Sequence, residues 1–142
     1  MNAYRVLRDK QEKEFNDFSS AKIFYAFSKS QFEEGLKKIG AQPGEKLVRL
    51  GDSGGFIKKS DEAELDALFT KQATELAAAI EGDKTGDGFI FDMFSYELAN
   101  HEYTITGNLD ETLEALGITA ERIESTKALK AGLKKALRAI SA

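Results

Sequence analysis

The spacing of apolar positions changes from one segment to the next, and it assigns most of the elements. From Ala3 to about Asn16, Tyr4, Leu7, Gln11 and Phe15 recur at steps of three and four, which predicts a surface helix with a thin apolar stripe. Ile23-Phe24-Tyr25-Ala26-Phe27 is short and aromatic and reads as a buried strand. Ser28 with Gln31, and Ser30 with Glu33, fit the capping box that opens a helix, whose face is then Phe32, Leu36 and Ile39 until Gly40 and Pro43 stop it. Leu47-Val48-Arg49-Leu50 and Phe56-Ile57-Lys58-Lys59 flank Gly51-Asp52-Ser53-Gly54-Gly55, where glycines able to take positive φ suit a β-hairpin. After a cap at Ser60 or Asp61, Leu65, Leu68, Phe69, Gln72, Leu76 and Ile80 trace a wide helical stripe that closes at Gly82.

In the second half, Phe89-Ile90-Phe91-Asp92-Met93-Phe94-Ser95-Tyr96 is nearly all apolar, as in a strand covered on both faces, and is expected at the sheet centre. Tyr103-Thr104-Ile105-Thr106 reads as a further strand, antiparallel to it. A short helix from Asp110 to Leu116 ends at Gly117, and a last helix runs from Thr119 to near Ile140 with Ile118 and Ile123 placed as a hydrophobic staple. These elements do not alternate as βαβ units. The expected class is therefore α+β, a small, mostly antiparallel sheet packed against four to five helices, in a single domain over residues 1–142. One core is expected, holding Phe24, Phe27, Phe32, Leu68, Leu76, Phe91, Phe94 and Leu133.

Composition narrows the chemistry. The chain is 42% hydrophobic and 31% charged, the balance of an ordinary globular domain. It has no cysteine, which excludes disulfides, thiolate metal ligands and a thiol nucleophile. No apolar run approaches the roughly 20 residues that span a bilayer, and the first residues lead into a charged helical pattern. A cytoplasmic location without membrane association is the expectation. The net charge is −4, but six bases stand against two acids between Ala120 and Ala142, so attraction for polyanions is confined to that end.

Four segments carry candidate chemistry. Asp83-Lys84-Thr85-Gly86-Asp87-Gly88-Phe89-Ile90 matches the first eight positions of an EF-hand calcium loop, but Phe94 stands where the bidentate glutamate belongs. A polar turn is the simpler reading, and neither metal nor cofactor is expected. Glu97-Leu98-Ala99-Asn100-His101-Glu102-Tyr103 holds the only histidine. Glu97 and His101 share a face in a helix or a strand, so they are candidates, with Glu102 and Asp92, for a metal-dependent hydrolase or nucleic-acid enzyme. The favoured reading makes the stretch structural, with Asn100 and His101 fixing a connection by hydrogen bonds and a binding surface formed by Glu97, Asn100, His101, Glu102 and Tyr103. The glycine loop at 51–55 lacks the Gly-Lys-Thr/Ser ending of a phosphate-binding loop. Lys127, Lys130, Lys134 and Arg138 fall at steps of three and four, a basic stripe that reads first as a solvated helix face with favourable dipole placement and, as the alternative, as a surface for a polyanion such as nucleic acid.

Three stretches also carry a resemblance: Phe24-x-Ala26-Phe27-Ser28-x-x-Gln31-Phe32-Glu33-Glu34-Gly35, then Gly54-Gly55-Phe56-Ile57-x-Lys59-x-Asp61, then Met93-Phe94-x-Tyr96-Glu97-Leu98-Ala99-Asn100-His101-Glu102-Tyr103. Together they resemble a family of small proteins encoded by phages, plasmids and related mobile elements of bacteria. The resemblance implies an accessory protein that binds a protein partner, by analogy with the small inhibitors of host defence nucleases, including anti-CRISPR proteins. It implies no enzyme activity.

Overall fold

The computed structural model describes residues 1–141. It is an α+β structure in which eight α-helices and one three-stranded antiparallel sheet occur among the described residues, more helices than the sequence spacing predicts. Two compact units divide the chain: one is Lys10–Thr74, the other Met1–Asp9 with the described chain from Glu75 onward.

Within Lys10–Thr74, helix α1 (Ala3–Lys22) runs on past Asn16, because Phe18 continues its stripe, and leads directly into strand β1 (Ile23–Tyr25). Helix α2 (Lys29–Lys38) is capped as expected, the Ser28 hydroxyl accepting from the Gln31 N–H. Strands β2 (Leu47–Leu50) and β3 (Gly55–Lys58) form the hairpin, and a 3₁₀ turn at Lys59–Asp61 leads into α3 (Glu62–Gly82). The sheet order is β1-β3-β2, with Phe24 and Arg49 both opposite Phe56, and Ile23 and Val48 both opposite Ile57.

Strand alternation sorts these side chains onto two faces. Ile23, Ile57, Val48 and Leu50 pack with Phe15, Phe18 and Leu65. On the other face Phe24 stacks on Phe56 at 5.2 Å, and Phe32 of α2 meets both edge-on. Gly35 allows this approach, since a Cβ there would lie 2.0 Å from the Phe24 ring.

The second unit overturns two expectations. Phe89–Asn100 is a helix, α4, and not a central strand. Its buried residues Ile90, Met93, Phe94, Glu97 and Leu98 follow the helical period, and with Glu97–Asn100 included the run is twelve residues long, beyond the usual strand. Tyr103–Thr106 is a single helical turn, α5, and not a strand. It starts after Glu102 at φ 54° and ends at Gly107 at φ 65°, so both flanks turn in the left-handed region and no extended segment lies between them. Helix α6 (Asp110–Leu116) ends at Gly117 as expected. The predicted last helix is two, α7 (Ala120–Ser125) and α8 (Lys127–Ser141), because Thr126 adopts an extended conformation between them.

The expected single core is two clusters. Phe94 and Leu133 are buried in the second unit with Leu76 and Phe91 against them, whereas Phe24 is buried in the first. Phe32 and Leu68 are half-buried, and Phe27, expected inside, is 78% exposed. Tyr4 of α1 and Ile80 of α3 belong to one cluster, Phe15 and Phe18 of α1 and Leu65 of α3 to the other. Among the described residues no helix is long and apolar enough to cross a membrane.

Candidate functional site

Helix α4 carries Glu97 on its buried face, with no exposed surface at all. A carboxylate taken out of water needs hydrogen-bond donors. Tyr4 donates its hydroxyl to Oε2 at 3.1 Å, Arg8 approaches the same oxygen at 3.5 Å, and Asn100 donates Nδ2–H to Oε1 at 3.3 Å. Arg8 also lies over the Tyr96 ring, 5.5 Å from its centre. Burial, and then the Glu97 charge, push the Tyr4 hydroxyl up to about 12, so it stays a donor at neutral pH. The Arg8 guanidinium is raised against the opposing effect of burial by Tyr4 and Glu97, and it remains a cation.

The remaining residues of the stretch do other work. Asn100 reaches back to Glu97, and His101 caps α4 with its N–H on the Glu97 carbonyl at 3.0 Å. His101 Nδ1 stands 3.6 Å from Glu111 Oε2, and its Nε2 is buried without a hydrogen-bond partner among the described residues. Glu102 is exposed, and Tyr103 packs on the apolar cluster. Asp92 caps α1 from outside, its Oδ2 accepting from the Ala3 N–H at 2.8 Å and its carbonyl from Asn2 Nδ2–H at 2.9 Å. Glu97 therefore turns inward to Tyr4 while His101 turns to Glu111. Among the described residues no three His, Cys, Asp or Glu side chains gather as a cation set.

The EF-hand-like turn is a helix cap. Asp83 Oδ1 accepts from the Gly86 N–H, and Oδ2 accepts from the N–H groups of Gly88 and Ile90, the latter at 2.9 Å, in the first turn of α4. Burial opposes ionisation of this carboxyl, but those amides outweigh it and hold its pKa below the ordinary aspartate range. Gly86 is needed for packing: at φ 86°, a Cβ would lie 2.2 Å from the Ala128 carbonyl oxygen of α8. On the far side of α8, Lys127, Lys130, Lys134 and Arg138 are all exposed, and Lys130 pairs with Glu124 at 2.9 Å.

A site that the sequence spacing missed lies in Lys10–Thr74. Phe27 follows β1, whose ladder continues as the Ala26 N–H donates to the Gly54 carbonyl at 3.0 Å. The Phe27 N–H donates to Gln31 Oε1 at 2.7 Å, so the residue is tied at the start of α2. Its ring rests on Gly54, where a Cβ would come within 2.4 Å of it. Beside it opens a cleft of about 550 Å³, lined by Phe27, Phe32, Phe56, Lys29, Arg49 and Asp52. The Arg49 guanidinium lies over the Phe56 ring, 5.7 Å from its centre. The local pattern carries no signal for this site, because an apolar residue just before a capping serine ordinarily packs back on its own helix.

Comparison with the curated proteins and with the solved structures found no match in either. One family model matches residues 3–139, which takes in both units, the Glu97 network and the Phe27 cleft, and the chain therefore belongs to the family of unknown function DUF7659.

Proposed function

We propose that the protein is an accessory interaction protein that works by docking a protein partner at the Phe27 cleft. The observation that carries this reading is Phe27 itself, 78% exposed to water, with its backbone N–H tied to Gln31 and its ring resting on Gly54. Phe27 does not stand alone, since Phe32 and Phe56 line the same cleft, and contiguous apolar surface of this kind marks interaction sites. A preorganised aromatic beside an arginine is the usual composition of an energetic hot spot in a protein interface. The Glu97 carboxylate, by contrast, is enclosed by Tyr4, Arg8 and Asn100, which favours a structural role over a hydrolytic one. The resemblance to proteins of phages and plasmids extends the reading to a host defence nuclease as the partner, met in the cytoplasm.

Phe27→Ala tests this directly. Because the side chain is exposed, the variant should keep its stability within about 0.5 kcal/mol in a thermal melt. Co-purification from host cells with the partner that wild type retains should be lost. A variant that retains the same partner undiminished would overturn the reading.

A further inference from the structure

Six of the ten lysines of Lys10–Thr74 pair with carboxylates, and Lys29, Lys37, Lys38 and Lys46 have no ion pair among the described residues. Lys22 pairs with Asp61 and Glu64, Lys58 with Glu45, Lys59 with Glu62 and Lys71 with Glu14. The two cations that line the cleft, Lys29 and Arg49, have no ion pair within the described chain. Both are exposed. The first turn of α2 adds the positive end of its dipole on the same side, since Ser28 and Lys29 line the cleft. Asp52, on the hairpin turn, is the one carboxylate among the lining residues. Phe27, Phe32 and Phe56 supply apolar surface in the same cleft.

From this juxtaposition we propose that the cleft takes an acidic peptide segment of its partner, with an apolar or aromatic side chain set against Phe27 and Phe56 and a neighbouring carboxylate on Arg49 and Lys29. The inference rests on the docking function proposed above and adds the chemistry of the occupant. Arg49 is suited to the task because its guanidinium already lies over the Phe56 ring, and its planar set of N–H donors matches a carboxylate fork. Opposite charge also speeds the encounter and rejects basic segments.

A random peptide library displayed on phage is the probe, panned on the full-length protein. The expected clones carry Asp or Glu beside an aromatic or large aliphatic residue. Synthesised as peptides, they should bind roughly tenfold more weakly to Arg49→Glu, which replaces attraction by repulsion, and should weaken with rising salt. Arg49→Lys should restore part of the binding, and circular dichroism of each variant checks that the fold is kept. Clones that need Phe27 but carry no acidic residue, or that ignore Arg49→Glu, would overturn this inference and leave the docking reading standing. Clones that bind Phe27→Ala as well as wild type, or a selection without enrichment, would overturn both.

Discussion

Glu97 carries two readings in the sequence, half of a catalytic or metal-binding pair with His101 or, the favoured one, part of a structural stretch, and its complete burial supports the second. All of its named donors come from its own unit, Tyr4 and Arg8 from α1 and Asn100 from one turn along α4. Removing the carboxylate leaves the Tyr4 hydroxyl without its acceptor, while Arg8, with its side chain 43% exposed, can still be solvated. Glu97→Ala is therefore expected to cost about 1–3 kcal/mol, the penalty for stranding a buried polar group rather than a buried charge. Glu97→Gln keeps an acceptor for Tyr4 and should recover part of the loss. Chemical denaturation of the two variants beside wild type measures both effects, and equal stability of all three would contradict the network.

Among the elements, α4 shows most clearly how a cap decides between helix and strand. Phe89–Tyr96 alone is compatible with a buried strand, since its apolar run has no strong period. Asp83 resolves the ambiguity by collecting the amides of Gly86, Gly88 and Ile90 where α4 begins. Asp83→Ala should destabilise the protein by about 1–2 kcal/mol at neutral pH, the usual worth of an N-cap carboxylate. The pKa of Asp83 is lowered in the folded state, so its contribution is present above the ordinary value of 3.8 and fades as pH falls through the lower folded value. The gap between wild type and Asp83→Ala in thermal melts should accordingly narrow in acid, and a gap that widened there would refute the assignment. The α7–α8 break has a comparable local origin. Ser125 turns its hydroxyl back to the Arg122 carbonyl, and Thr126 is extended, so a stripe that looks continuous in sequence belongs to two helices.

For the molecule as a whole, the same reasoning sets an alkaline limit to stability. Tyr4 ionises at about 12 in the folded state against an ordinary value of 10.0, so the folded form holds its proton across that interval more firmly than the unfolded form does. Its contribution is complete below pH 10.0 and is lost as pH rises toward 12. Stability measured over that range should fall faster for wild type than for Tyr4→Phe, and phenolate absorbance should show one tyrosine titrating late. If the two proteins lose stability in parallel, the hydroxyl is not buried against Glu97.

Local signals along the chain were sufficient for the α2 cap, the β2–β3 hairpin, the α3 helix and the Gly117 stop, because each rests on interactions between residues a few positions apart. The exposed basic face of α8 was legible for the same reason. The α+β class holds although Phe89–Tyr96 and Tyr103–Thr106 are helical, and Phe69 of the predicted α3 stripe is exposed. Long-range packing decided the rest. Whether Phe27 points into a core or out to water depends on Gly54, and whether Glu97 is a surface acid or a buried acceptor depends on Tyr4, 93 positions away. Apolar periodicity says that a side chain has a buried face available, but only the tertiary structure says which partner, if any, covers it.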